Sequence, residues 1–324
     1  MNSTSMTPTP MEPKLLSTPS ASKGILAVLA AATLFGTSAA AVTLVGPSAT
    51  APAIAATRLV VGALGLVVIV AITLTGRQAL IRLWRRPLLW LMGLAVAAYQ
   101  SLFFFGVART GVAVGTLASL ALAPFLAGLL GWWLREGAPG VVWAVSTVLA
   151  VFGMALLTLG DGQSRDLLGI LAAMGAGASY AIYTVLGVRL ARGGESATNV
   201  LAASFSLAAL VTIPLFIAAG TWWWSPQGVA LVLWLGLATT TLAYVLFGVG
   251  LRTLQPGHIA TLNLAEPVVA TLLGVAILGE FLGVRGWIGC VLIVVALGIL
   301  GLSDRARRGA PGHPEPRPDE AVPA

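Results

Sequence analysis

The chain has 324 residues, 58% of them hydrophobic and only 9% charged, with a mean hydropathy of +0.95. That balance excludes an ordinary soluble domain, in which about a quarter of the residues are charged. The formal charge of +7, from 18 Lys and Arg against 11 Asp and Glu, lies mostly in short segments between apolar runs. It is therefore expected to meet the anionic headgroups of a lipid bilayer, and no nucleic acid is expected as a partner.

Residues 1 to 23 are rich in Ser, Thr and Pro and are expected to form a disordered tail. Lys14 and Lys23 precede an apolar stretch, as in a secretory signal, but that stretch exceeds the roughly 7 to 15 residues of such a segment. Beyond it, apolar runs follow at 24–45, 53–75, 87–107, 112–134, 139–160, 167–188, 198–219, 228–250, 257–279 and 284–302. Each approaches the roughly 20 residues that a helix needs to cross a bilayer core about 30 Å thick. A β-barrel would need segments of about ten alternating residues, and these runs are continuous. The expected fold is an all-α integral membrane protein with ten transmembrane helices. Its breaks fall at GPSATAP (46–52), GRQALIRLWRRP (76–87), GDGQSRD (160–166), RLARGGES (189–196) and TWWWSPQG (221–228). The Pro-rich, charged segment 303–324 is expected to be a second disordered tail.

Basic residues set the orientation. With the N-terminus inside, Arg77, Arg82, Arg85, Arg86, Arg189 and Arg192 are cytoplasmic, and only Arg109, Arg165 and Arg285 fall outside. Both termini are then cytoplasmic, in a multi-pass protein of the cell membrane. Trp84 and Trp90 inside, and Trp222, Trp223 and Trp224 outside, suit the aromatic belts of the interface.

The chain also repeats itself. GILAVLAAATLF from Gly24 resembles GILAAMGAGASY from Gly169, and RTGVAVGTLASLALAPFLAGLLG from Arg109 aligns with RTLQPGHIATLNLAEPVVATLLG from Arg252. Glu136 and Trp143 match Glu280 and Trp287 after one inserted residue. The halves, 24–160 and 161–302, each hold five spans, so the second enters the membrane from the opposite side. Inverted repeats of this kind recur in secondary transporters that work by alternating access.

SYAIYTVLGVRL (179–190), LAEPVVATLLGVAILGE (264–280) and RGWIGCVLIVVALGILGL (285–302) resemble the EamA domains of the drug/metabolite transporter superfamily. The resemblance covers 24–302 and implies a ten-helix carrier that moves small metabolites, often by efflux, through a central cavity between the halves. The first half departs from the pattern, because Ala123 stands where the second has Glu266.

Glu266 lies eight residues beyond His258, about 12 Å along a helix, close to the membrane midplane. A charge on a lipid face there costs several kcal/mol, so it is expected to face the interior, to pair or to take up a proton. Pro267 directly after it, like Pro124 in the first half, removes a backbone hydrogen bond and frees a carbonyl one turn earlier. Asn263 precedes Glu266 by three residues and shares its face. The alternative is that Glu266 only fixes packing. Arg58, the other intramembrane charge, can meet Glu266, bind an anionic group or snorkel outward. Tyr99, Gln100, Tyr180, Tyr183 and Tyr244 each offer one polar group beside apolar surface, as lining or as interhelical bonds.

With two histidines and the single Cys290, the chain holds no metal-site spacing, no nucleophile with a positioned base and no GxxxxGK[ST] loop. No catalytic residue, metal or cofactor is expected, and the protein is not expected to be an enzyme. The expected function is secondary transport of amino acids or related small molecules, with protons as a coupling ion in one version. A membrane-embedded lipid-modifying enzyme and a non-transporting scaffold are the alternatives. The oligomeric state has no signature in the sequence.

Overall fold

The computed structural model describes residues 21–46, 48–110, 112–158, 166–279 and 281–309. Most of both expected tails, together with Arg165 and Glu280, lies outside the described residues. All regular elements among those residues are helical. They are α1 (Ala21–Val45), α2 (Ala51–Ala71), α3 (Leu74–Trp84), α4 (Pro87–Thr110), α5 (Val112–Trp133), α6 (Val141–Thr158), α7 (Leu167–Arg192) and α8 (Ala197–Ala218). Then α9 (Pro226–Leu233) runs through a π segment (Trp234–Leu242) into α10 (Ala243–Thr253), followed by α11 (Pro256–Leu262), α12 (Ala265–Leu278) and α13 (Val284–Gly309).

Nine spans among the described residues are long and apolar enough to cross a membrane, counting Pro226–Thr253 and Pro256–Leu278 as one each, and Val141–Leu157 is apolar but shorter. That shorter helix occupies the run expected at 139–160. Their outer faces carry Trp133 (77% exposed), Ile217 and Val291, side chains that suit lipid and not water.

Local chemistry sets the helix ends. Asp166 caps α7 by accepting from the Gly169 N–H at 2.7 Å, and Ser225 caps α9 by accepting from Gly228 at 3.0 Å, ahead of Pro226. Gly279 closes α12 in the left-handed region, with φ 69°, where a side chain would be strained. Two boundaries differ from the sequence expectation. The stretch 76–87 is not a plain break, because Thr73 caps α3, which buries Ala79 and Leu83 one turn apart and turns its arginines outward. The last helix continues to Gly309, beyond the boundary expected at 302.

The helices pair in a regular way. α4 lies along α7 and α1 along α10; α5 lies along α7 and α1 along α12; α2 packs on α8, and α6 on α13. Close approaches at glycine follow the same scheme. Gly169 abuts Arg109 and Thr110, while Gly24 abuts Thr253; Gly93 abuts Ser204 and Leu207, while Gly236 abuts Val61. One end of the bundle gathers Arg82, Arg86, Glu136, Arg192 and Glu195, and is called the basic end below; Arg109 and Asp166 mark the opposite end.

Candidate functional site

The site begins at the interruption between α11 and α12. Pro267 has no N–H, so the carbonyl of Asn263 lacks its regular donor. The Glu266 N–H takes that place at 3.0 Å, and the Leu264 N–H donates to Thr261 O at 3.0 Å, so two tight turns stand where one helix would continue. Asn263, 4% exposed, ends α11 and donates from Nδ2 to Glu266 Oε2 at 3.2 Å. Glu266 is thereby held in the first turn of α12, where the helix macrodipole favours an anion.

Arg58 of α2 and the hydroxyls of Tyr99, Tyr180 and Tyr244 lie within electrostatic reach of Glu266. Arg58 is not in contact with the carboxylate, since the ion pairs within 4.0 Å among the described residues involve other groups. Its buried Nε has no partner, nor have Asn263 Oδ1 and the Tyr180 hydroxyl. A buried polar atom left without a partner costs about 1–3 kcal/mol. One free donor and one free acceptor beside a carboxylate therefore favour water or a polar ligand.

The chain has four tyrosines, and all four meet here. Tyr180 and Tyr183 of α7 stand 4.9 Å apart between ring centres, and Tyr99 of α4 lies 5.7 and 6.1 Å from them. The Tyr183 and Tyr244 hydroxyls are 3.5 Å apart, at the long limit of a hydrogen bond. Phe35 of α1, Phe205 of α8 and Phe247 of α10 surround Tyr244 at 5.2, 4.2 and 5.7 Å. Gln100 is not brought into this cluster. It lines a cavity of about 290 Å³ between α2, α4 and α8, together with Leu59, Ser101 and Thr212. Pro124 lies inside α5, which is uninterrupted.

Burial changes across the site. Toward the basic end every residue of α11 except His258 is buried, whereas beyond Val268 only Gly274 of α12 is. α8 likewise buries residues through Thr212 and none after it. The Glu266 cluster thus stands where the burial of α8 and of the α11–α12 pair falls off.

Sequence reasoning did not single out the ion pairs at the basic end. Glu195, 6% exposed, accepts from Arg82 Nε and Nη2 at 3.1 and 2.8 Å and lies 3.1 Å from Arg86 Nη2. The bond from Arg82 holds the Glu195 carboxyl below its ordinary range, against the effect of burial. Arg192 donates to Glu136 O at 2.7 Å and to Leu254 O at 2.9 Å, and its guanidinium is 3.7 Å from the Glu136 carboxylate. The available signal was one glutamate in the turn RLARGGES, expected on the same side as the basic GRQALIRLWRRP. At the opposite end Asp166 accepts from Arg109 Nε and Nη2 at 3.1 and 2.8 Å. Arg109 and the Gly169 N–H together hold the Asp166 carboxyl below its usual range. Among the described residues no group of three His, Cys, Asp or Glu is placed to hold a metal ion.

Long apolar helices around an interior polar cluster define a multi-pass membrane protein with its polar groups turned inward. Residues 167–302 match the EamA-like transporter family. Over 88% of this chain and 96% of its own length, the uncharacterized transporter YwfM of Bacillus subtilis strain 168 is 36% identical. The threonine/homoserine exporter RhtA of Salmonella typhimurium strain SL1344 is 31% identical over 76% of this chain and 81% of its own, and RhtA of Escherichia coli K12 is 32% identical over 72% and 75%. A solved crystal structure shares the fold with a TM-score of 0.73 at 22% identity, covering 89% of this chain and 99% of its own. The chain belongs to the EamA-like transporter family.

Proposed function

We propose that the protein is a secondary carrier that exports amino acids or closely related metabolites across the cell membrane by alternating access. In this reading ten spans form two inverted five-helix repeats, 24–160 and 161–302, and both termini are cytoplasmic. The paired packing supports the repeat: α4 on α7 corresponds to α1 on α10, and Gly169 against Thr110 corresponds to Gly24 against Thr253. The arginine-rich turns support a cytoplasmic basic end. The arrangement described here is then sealed toward the cytoplasm and open outward.

The observation that carries the reading is the carboxylate at the α11–α12 interruption, faced by a guanidinium with an unpartnered Nε inside an otherwise apolar bundle. Interrupted helices with ionisable groups at membrane depth mark substrate and ion sites in transporters. A free amino acid carries an ammonium and a carboxylate, and Glu266 and Arg58 offer one opposite charge to each. Exchange of a proton on Glu266 supplies a route for coupling. Two relatives, named as threonine/homoserine exporters, support the substrate class.

The test compares amino acids inside and outside cells with and without the protein, followed by transport of the responding compound in vesicles. Export of one or more amino acids, lost in Glu266→Ala at unchanged protein amount, is the expected result. Equal distributions of every amino acid in both strains would sink the reading.

A further inference from the structure

A groove of about 810 Å³ lies between α5 and α7. From α5 it takes Leu126, Leu129, Trp132 and Trp133, and from α7 Ala178 and Ile182. At about 100° per residue, Ala178 and Ile182 share the face of α7 opposite to Tyr180 and Tyr183, so the groove is separate from the Glu266 cluster. Leu126 to Trp133 spans about 10 Å of helix, most of one leaflet's share of a hydrocarbon core about 30 Å thick. Leu129, Trp132 and Trp133 are exposed there, as suits a wall that meets hydrocarbon and its interface.

One charge stands in this apolar lining. Arg135 lines the groove at the basic end, beside Glu136, and its backbone is left-handed with φ 61°. It is the one non-glycine residue with a positive φ among the described residues. In the other half Gly279 holds the left-handed position after α12, with φ 69°, directly before the glutamate that matches Glu136. Glycine takes that conformation without strain and arginine does not, so the α5 copy keeps a strained side chain where the α12 copy has none. No carboxylate lies within 4.0 Å of the Arg135 guanidinium among the described residues, since Glu136 is turned to Arg192 and Glu195 to Arg82 and Arg86. The groove lining itself holds no acid.

We propose that this groove holds one anionic phospholipid, with an acyl chain along the α5–α7 wall and the phosphate on the Arg135 guanidinium. Arginine meets phosphate through paired, charge-assisted hydrogen bonds. A zwitterionic headgroup brings an ammonium that finds no acid in this lining, so the site favours a headgroup of net negative charge. The lipid braces α5 against α7, the helix that also carries Tyr180 and Tyr183 into the tyrosine cluster. The inference goes beyond the carrier reading and rests on no part of it, because binding is read without transport.

The test titrates the full chain in a mild detergent with phosphatidylglycerol or phosphatidylcholine of identical acyl chains. Bound lipid is counted by native mass spectrometry, and folded protein is followed by its unfolding midpoint. The parent is expected to bind its first phosphatidylglycerol about fivefold more tightly than phosphatidylcholine, the effect of one arginine near an anionic headgroup. Arg135→Gln and Arg135→Gly are each expected to lose most of that preference, and glycine suits the left-handed backbone, so the second variant keeps the fold. Ala178→Leu fills the groove and is expected to weaken both lipids severalfold while leaving their ratio in place. Excess glycerol 3-phosphate, a headgroup without acyl chains, is expected to displace neither lipid. Equal binding of the two lipids by the parent, or a preference kept in both Arg135 variants, overturns the proposal. So does unchanged lipid binding in a folded Ala178→Leu variant, or displacement by glycerol 3-phosphate at the concentrations at which phosphatidylglycerol itself competes. A lipid-free dimer of the parent that Ala178→Leu dissociates would assign the groove to a second copy of the chain instead.

Discussion

α5 and the α11–α12 pair carry a proline at the same place in the aligned halves, Pro124 and Pro267, yet α5 runs through its proline and the other stops at Leu262 and resumes at Ala265. The missing N–H is common to both, so proline alone does not interrupt the helix. Leu120 and Ala123 stand in α5 where Asn263 and Glu266 stand in the second segment. In the interrupted copy the freed Asn263 carbonyl is taken by the Glu266 N–H, and the two side chains bond each other at 3.2 Å. The apolar copy has no side chain that gains from leaving helical geometry. Two helices thus carry the same weak point, and side-chain chemistry interrupts only one of them.

The largest expected effect removes that chemistry. Glu266→Ala is expected to lower transport about a hundredfold at unchanged fold, while Glu266→Gln keeps the amount of folded protein and loses the pH dependence of transport. Vesicle transport at several imposed pH gradients measures both, and full transport with an unaltered pH response in Glu266→Gln refutes the assigned role. Next comes the proline itself. Pro267→Ala restores a donor to Asn263 O and favours a continuous helix, which displaces Glu266 and is expected to cost about tenfold in transport. Pro124→Ala is expected to stay within about twofold, because its helix is already continuous. Equal losses in the two variants would break the comparison.

A smaller effect concerns the basic end. Glu195→Gln removes the charge that Arg82 and Arg86 share, and a cysteine introduced near the α7–α8 turn is expected to label a fewfold faster from the cytoplasmic side. The sign with pH follows from the lowered Glu195 carboxyl. Its contribution is present above the ordinary glutamate value of about 4.3 and is lost only as pH falls through the still lower folded value. Labelling of the same cysteine without Glu195→Gln, divided by its thiolate fraction, is therefore expected to be flat between about pH 5 and 8, and a rise of that ratio within the window would assign the closure to another group. The smallest effect is Tyr183→Phe, which removes one long hydroxyl contact and is expected to cost no more than about 1 kcal/mol in unfolding free energy.

The apolar runs made the helices legible, because span length and continuity are properties of the sequence itself. Three features were not legible, each for a physical reason. α3 reads as a polar break because its arginines outweigh the two buried positions, Ala79 and Leu83. The π segment depends on a neighbour: the Thr241 hydroxyl donates both to Gly236 O within the segment and to Gly62 O of α2, a contact that periodicity cannot show. Tyr99 and Gln100 are equivalent by composition and depth, but adjacent helical residues point about 100° apart. One joins the aromatic cluster and the other lines the cavity beside α2 and α8. At the candidate site the residue types stood out as polar groups in apolar runs, and their meeting is a consequence of how α4, α7 and α10 pack.

The gathering of every tyrosine of the chain into one cluster makes the protein its own spectroscopic reporter. Biosynthetic incorporation of fluorotyrosine places four fluorine nuclei at Tyr99, Tyr180, Tyr183 and Tyr244 and nowhere else. Their resonances carry no background from loops or tails, so a shift on adding an amino acid, or on changing pH, registers an event among these rings without any residue being replaced.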